Sequence, residues 1–456
     1  MTATPRIVVA GTGSGVGKTT VATGLMAALT RRGLRVAGFK VGPDYIDPSY
    51  HTLATGMPPR NLDAFLCGPE LMTPLLAHGA SGADIAVVEG VMGLFDGASG
   101  TPGLASTAHV ATLLDAPVLL VVDAGGMARS VAAMVHGYAT FDPALRIAGV
   151  VVNRLGSPRH AHLVREALAP LGIPVVGTLM RDAGLDTPSR HLGLVPAGER
   201  GQRARTTVDA LGTAVGNALD LDLVQALARA APLLASTPWT PPAAVGSSAR
   251  IAVAAGPAFT FTYTEHIELL TAAGGDVVPF DPLHDEQLPD GTDALYLGGG
   301  FPEVHSAELA ANVALRAAVA AHAAAGRPII AECGGLLYLC RTLDDRPQCG
   351  VLAADATTGS RLQLGYRTAR AATATPWWPA GSQVRAHEFH HGTVRPGAGA
   401  APAWHIGERA EGFVTGNVHA SWLHTHWAAT PDVARRFVAA AARSKPRANA
   451  RAAQCV

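Results

Sequence analysis

Residues 10–20, Ala10-Gly11-Thr12-Gly13-Ser14-Gly15-Val16-Gly17-Lys18-Thr19-Thr20, decide how the rest of the chain is read. Before them lies a short apolar run, Arg6-Ile7-Val8-Val9-Ala10, expected to be a buried strand. After them comes VATGLMAALTRRG, with apolar residues at helical spacing and a terminal Gly33. Strand, glycine-rich turn, Gly-Lys-Thr and helix form the layout of a phosphate-binding loop. In such a loop the backbone N–H groups of Gly13, Ser14, Gly15, Val16 and Gly17 and the helix start at Thr20 would face nucleotide phosphates. Lys18 would reach the terminal ones and Thr19 can ligate magnesium. The strict pattern is G-x-x-x-x-G-K-[ST], and its first glycine place holds Thr12 here, with Gly11 one place earlier.

The chain has 456 residues, which predicts two or three domains. Its 48% apolar and 15% charged content, with 51 glycines, describes a packed α/β protein. Equal numbers of basic and acidic residues, 35 each, give no global field for nucleic acid or an acidic membrane. An anionic substrate therefore needs a local basic pocket. No signal peptide and no apolar run of about twenty residues is visible. The five cysteines lack pairing or metal spacing, which predicts a reducing, cytoplasmic setting.

Val36 to Lys40 reads as a second strand that Gly42-Pro43-Asp44 ends in a loop. Ligands of open parallel sheets bind at that carboxyl edge. Lys40, Asp44 and Asp47 there could hold magnesium and phosphate or simply solvate a turn. Residues 60–78 read as helical with a break at Gly68-Pro69. Asp84 to Val88 is a continuous apolar strand ending at Glu89-Gly90, and an acid in that place suits a metal- or water-positioning role. Asp96 follows in a glycine-bounded loop expected above the nucleotide. Further strands are expected at Val118–Asp123 and Ile147–Asn153, which would place Asn153 to meet an adenine base. Arg190 and His191 are basic groups on a later loop, and residues 206–231 read as one more helical stretch. The alternation over 6–195 predicts a doubly wound, mostly parallel α/β sheet. The Pro- and Ser-rich stretch 232–249 reads as a linker, and a new strand at Arg250 opens a second α/β run.

In that second run, Ala294–Leu297 leads into Gly298-Gly299-Gly300-Phe301-Pro302-Glu303, and Ile329–Glu332 leads into Cys333-Gly334-Gly335 and the helix LLYLC. A cysteine between strand and helix, followed by two glycines, has the form of a nucleophile elbow. The helix N-terminus is expected to lower the thiol pKa. The N–H of Gly334, with one from Gly299 or Gly300, would form an oxyanion hole. The nucleophile needs a base, and GNVHASWLHTHW (416–427), expected as a loop-to-helix junction, offers His419, His424 and His426. Spacing does not choose between His424 and His426. Ala386-His387-Glu388-Phe389-His390-His391 reads as a strand, with either ligand-facing groups or a polar edge.

Together GTGSGVGKTT, KVGPDYIDP, RNLD, EGVMGLFDG, PSRHLGLV, GGGFPE, AECGGLLYL, HEFHH and ASWLHTHW, in this order, resemble the cobyrinic acid a,c-diamide synthases of cobalamin biosynthesis over nearly the whole chain. The resemblance implies an N-terminal phosphate-loop domain like dethiobiotin synthetase over 1–235, which accounts for Thr12. It further implies a linker at 236–249, a class I glutamine amidotransferase domain over 250–444 and a flexible tail at 445–456. It implies that Cys333 attacks glutamine with His424, after Trp422-Leu423, as base. ATP then phosphorylates an acetate side chain of cobyrinic or hydrogenobyrinic acid, with magnesium held by Thr19, Glu89 and Asp44, and ammonia displaces phosphate. Tyr45, Ile46, Asp47 and Asp96 match positions near substrate or nucleotide, and Arg190 and His191 would meet a polycarboxylate. A homodimer is the assembly to test.

Two departures stand out. Many class I amidotransferases carry a glutamate two residues after the catalytic histidine, where this chain has His426, and Met180 replaces a usual proline. A ParA/MinD-type switch is disfavoured because its second loop lysine is Gly13 here and it lacks a Cys-His domain. EGVMGLFDG speaks against cobyric acid synthase. Nickel-sirohydrochlorin as substrate is a nearer alternative.

Overall fold

The computed structural model describes residues 4–181, 189–190, 193–194, 197–243 and 248–444. The chain divides into two compact units, Met1–Thr240 and Pro241–Val456.

The first unit is built on β1 (Arg6–Gly11), β2 (Val36–Val41), β3 (Asn61–Leu62), β4 (Ile85–Glu89), β5 (Val118–Asp123), β6 (Ile147–Leu155) and β7 (Val175–Met180). They form one sheet in the order β3-β2-β4-β1-β5-β6-β7, with every neighbouring pair parallel. β1, β2 and β4 are buried at every residue, as their unbroken apolar runs require in a sheet covered on both faces. The carboxyl ends of β1, β2 and β4 adjoin, so the phosphate loop, the Gly42–Asp47 loop and Glu89 share one edge. The loop feeds helix α1 (Lys18–Arg31), and Asp47 lies on helix α2 (Ile46–Thr55).

Two expectations for this unit need correction. Residues 60–68 are not helical: Asn61-Leu62 pairs with Lys40-Val41 at the sheet edge, and the helix is confined to Met72–Gly79. The stretch 206–231 is two helices, Gln202–Ala218 and Leu221–Arg229, the second capped by the Asp220 side chain. β8 (Ser189–Arg190) and β9 (Gly193–Leu194) form a small antiparallel pair.

The second unit has two sheets. The first follows the order β11-β10-β12-β13-β21-β20, from β10 (Ala249–Ala254), β11 (Gly275–Phe280), β12 (Ala294–Leu297), β13 (Ile329–Glu332), β20 (Phe413–Thr415) and β21 (Val418–Ser421); only the β20–β21 pair is antiparallel. The second follows β15-β14-β16-β17-β22, from β14 (Thr342–Leu343), β15 (Arg346–Pro347), β16 (Asp355–Ala371), β17 (Gln383–Arg395) and β22 (Leu423–Thr425). β18 (Trp404–Ile406) attaches to β16, and β19 (Arg409–Glu411) pairs with β18. Residues 416–427 are thus not a loop-to-helix junction. They are two strands in different sheets, joined at Trp422 and followed by the short turn Trp427–Ala429. Among the described residues no helix is long and apolar enough to cross a membrane.

Candidate active sites

At the phosphate loop, conformation and close packing explain the displaced glycine. A Cβ on Gly11 would lie 2.6 Å from Val16 Cγ2 and 2.8 Å from Lys18 Cγ, so the residue without a side chain is needed there and Thr12 is free to differ. Thr12 O accepts from the Tyr138 hydroxyl at 2.6 Å. Gly17 has φ 98°, a left-handed value that favours glycine. Its pro-Cβ position is filled by the Asn153 amide, which donates to Val16 O at 2.9 Å. The structure therefore sets Asn153 against the loop backbone.

Behind the loop, Thr19 Oγ1 donates to Glu89 Oε1 at 2.6 Å and lies 3.2 Å from Asp47 Oδ2. Lys40 Nζ donates to Asp47 Oδ2 at 2.6 Å, Glu89 Oε1 at 2.9 Å and Gly90 O at 3.1 Å. Lys40 is thus enclosed by carboxylates, 3% exposed. Asp47, expected near the substrate, joins this cluster. Asp44 instead uses Oδ1 to accept from Ile46 N and Asp47 N, opening α2, while its Oδ2 lies 4.0 Å from Lys40. Ile46 is buried, so its side chain packs. Tyr45 is half-buried beside it, and exposed Asp96 accepts from Gly93 N. Arg190 is described only as part of β8, and His191 lies outside the described residues.

The sequence reading missed His51, whose Nε2 lies 2.6 Å from Glu89 Oε2 in full burial. Its signal was the spacing of four from Asp47 on α2, which places both on one helix face.

Burial favours the uncharged forms here, and the contacts decide against it at two groups. Burial would push Glu89 up, but Lys40 and then His51 more than offset this and hold it below its ordinary value. Burial would likewise lower Lys40, and Asp47 with Glu89 raises it instead. Asp47 is raised, by burial first and the Asp44 carboxylate next, so it holds its proton more tightly than an ordinary aspartate. Lys18, which donates to Gly13 O at 2.8 Å, is pushed down to about 8 by burial, with Lys40 adding repulsion. Among the described residues no three His, Cys, Asp or Glu side chains are arranged to hold a metal by themselves. The Thr19, Glu89 and Asp47 oxygens are nonetheless hard donors that suit magnesium, which takes few protein ligands and completes its shell with water and phosphate.

In the second unit, Cys333 follows β13 at φ 49° and ψ −99° and caps the helix Gly334–Leu339. A β-carbon at positive φ is strained, and such strain at a strand-to-helix turn exposes a nucleophile. Cys333 N donates to Ser421 O at 2.7 Å, tying the elbow to β21. His424 lies in β22, paired with His387 of β17. The glycine turn after β12 touches both: a Cβ on Gly299 would lie 2.4 Å from His424 Cε1, and one on Gly334 would lie 3.0 Å from Gly300 N. The cavity at Cys333 is also lined by Glu303, Thr358, Phe389, His390 and Trp422. Phe389, His390 and His391 of HEFHH thus face this cavity, while Glu388 is held inside the sheet. His390 stacks on Trp422 with ring centroids 3.7 Å apart, and Glu388 is fully buried between Arg367, Arg409 and His390.

Two expectations change at this site. Gly299 is not an oxyanion donor, because its N–H donates to Phe261 O at 3.1 Å; Gly300 and Gly334 keep that role open. The thiol is not acidified: burial and then the Glu303 charge push Cys333 up, and the opposing Gly334 N–H does not overcome them. His424 is pushed down to about 3 by burial, with His387 and His390 next. The resting pair is a neutral thiol and a neutral imidazole. His426, standing where a glutamate was expected, has Nε2 3.7 Å from Glu265 Oε2, a carboxylate supplied by another helix.

Residues 7–195 match the family model described as CobQ/CobB/MinD/ParA nucleotide binding domain, and residues 250–432 match the CobB/CobQ-like glutamine amidotransferase domain. The chain is 55% identical to a Streptomyces coelicolor protein named hydrogenobyrinate a,c-diamide synthase, over 96% of this chain and 97% of that one. It is 52% identical to a Mycobacterium bovis protein of the same name, over 97% and 99%. It is 46% identical to the cobyrinate a,c-diamide synthase of Syntrophotalea carbinolica, over 95% and 98%.

Proposed function

The chain belongs to the hydrogenobyrinate and cobyrinate a,c-diamide synthase family, and on that premise we propose that it amidates the a and c acetate carboxylates of hydrogenobyrinic acid, using ATP and glutamine. The cobalt-free ring is preferred over cobyrinic acid because the more similar relatives carry it in their names. One observation supports the reading most strongly: a single chain holds both a phosphate loop backed by Thr19, Lys40 and Glu89 and, in its second unit, a cysteine on a strained elbow and a buried histidine.

An ionised carboxylate is a poor electrophile and an acyl phosphate a good one. A substrate carboxylate oxygen attacks the terminal phosphorus of ATP and ADP leaves. Ammonia then attacks the acyl carbon and phosphate leaves, giving the amide. Lys18 reaches the transferring phosphate, while Glu89, Asp47 and Asp44 keep the surrounding charge in place. Magnesium on the Thr19, Glu89 and Asp47 oxygens would neutralise phosphate charge. Tyr45 and Asp96 face the macrocycle, and Arg190 and His191 meet its other carboxylates.

Ammonia comes from the second unit. The neutral His424 takes the Cys333 proton as sulfur attacks the carboxamide carbon of glutamine. Gly300 and Gly334 N–H groups hold the oxyanion. His424 returns the proton to nitrogen, ammonia leaves, and water hydrolyses the thioester to glutamate. Residues 1–235 and 250–444 divide these tasks in a cytoplasmic homodimer.

The test supplies purified protein, ATP, magnesium and glutamine with hydrogenobyrinic acid, cobyrinic acid or nickel-sirohydrochlorin, and counts amides by mass spectrometry. Two amides on hydrogenobyrinic acid are expected. None on any tetrapyrrole would overturn the proposal.

A further inference from the structure

Cys333 and His424 belong to different sheets: Cys333 follows β13 of the largely parallel sheet, and His424 lies in β22 of the other. A catalytic pair split in this way depends on whatever fixes one sheet against the other. The residue just before the nucleophile makes that link to the residue just after the base. Glu332 Oε1 accepts from Thr425 N at 3.2 Å and from Thr425 Oγ1 at 2.8 Å. Glu332 Oε2 accepts from the Tyr296 hydroxyl at 3.2 Å.

The protons in this network can be traced. Trp427 N–H donates to His266 Nε2 at 3.1 Å. Burial, with His426 nearby, holds His266 well below its ordinary value, so the ring is neutral and its one proton sits on Nδ1. Nδ1 therefore donates to the Tyr296 oxygen 2.9 Å away, which leaves the Tyr296 proton for Glu332 Oε2. On the other arm Trp427 Nε1–H donates to Thr425 Oγ1 at 3.0 Å, and the threonine proton goes to Glu332 Oε1. Both arms begin at Trp427 and converge on Glu332, whose Oε1 accepts from both Thr425 groups. Glu332 is 5% exposed, and Tyr296, His266, Thr425 and Trp427 are buried with it. In a dry interior a satisfied network of this kind is rigid, whereas losing one member leaves the others unmet.

We propose that Glu332 is a positioning residue for glutamine hydrolysis, which ties β22 to the end of β13 through Thr425 and thereby sets His424 relative to Cys333. This rests on the reading of Cys333 and His424 as the glutaminase pair. Glu332 takes no proton from substrate; it acts through Thr425. A displacement of about 1 Å in such a pair lowers turnover by as much as about 10²-fold.

The experiment measures glutamate release and ammonia-dependent amidation on the full chain. Glu332→Gln replaces an acceptor with an NH₂ facing a hydroxyl that already donates. It is expected to lower kcat for glutamine by about 10- to 100-fold, with KM for glutamine little changed and ammonia-dependent amidation retained. Thr425→Val, which lacks the donor hydroxyl, should show the same split, and Thr425→Ser should restore kcat. The threonine pair also reads the contact if Glu332→Gln does not fold. Unchanged kcat in Glu332→Gln, equal kcat in the valine and serine variants, or loss of both activities would overturn the proposal. Undiminished glutamate release in Cys333→Ala would instead sink the glutaminase reading beneath it.

Discussion

At Thr19 and Glu89 the chain buries charge, whereas at Cys333 and His424 it buries neutral groups. The first site surrounds the Lys40 ammonium with Asp47, Glu89 and Asp44. It is suited to a step in which phosphate charge must be balanced. The second holds a raised thiol and a lowered imidazole, so charge arises only when sulfur reacts and the proton moves. The difference teaches that the two chemistries call for opposite preparation, and that each unit supplies its own.

The largest effect that would break this comparison lies at Glu89. Glu89→Gln removes the charge that pairs Lys40 and a proposed magnesium ligand. Amidation should fall by about 10²-fold or more with either glutamine or ammonia as nitrogen source, while glutamate release persists. An initial-rate assay of both products checks this; glutamate release lost in parallel would mean that the two sites are not separately prepared.

A smaller effect sharpens the neutral side. Burial pushes His387 and His419 down to about 4, and His424 and His426 down to about 3, from an ordinary 6.5. The unfolded chain therefore binds protons below pH 6.5 that the folded unit refuses, and acid costs stability there. Glu332 and Glu411, raised by burial from 4.5 to about 7, work the other way: the folded unit keeps their protons, so stability falls as pH rises from 4.5 to 7. The histidines outnumber the glutamates. The melting temperature of the second unit is expected to rise from pH 5 to about 6.5 and then drift down slightly by pH 7.5. Calorimetry or near-ultraviolet circular dichroism would register it; an equal or higher Tm at pH 5 would contradict the neutral state assigned to these histidines.

The sites differed as much in how far the sequence exposed them. In the first unit the strands are unbroken apolar runs and the phosphate loop is contiguous, so periodicity and one motif placed most of the sheet and the site. The misreading at 60–68 arose because Asn61-Leu62 is too short a strand to carry any period. In the second unit the elbow at Cys333 was legible from its glycines, but the thiol's acidity was not. A helix start suggests a thiolate, and the burial and Glu303 charge that raise the pKa come from elsewhere in the chain. The hairpin of β16 and β17 was largely missed, since few residues of β16 are buried and it has no apolar face to betray it. The contacts that fix His424 were invisible for a simpler reason: Glu332 and Thr425 lie 93 residues apart. His51 was within reach, had the spacing from Asp47 been weighed as a shared helix face.

The division of labour is tested most directly by assaying Cys333→Ala for a,c-diamide formation with glutamine and, separately, with ammonium at a pH where free ammonia is plentiful. The account predicts no product and no glutamate with glutamine, and product formation at the wild-type rate with ammonia. Glutamine-dependent product from Cys333→Ala, or loss of the ammonia-dependent reaction, would contradict it.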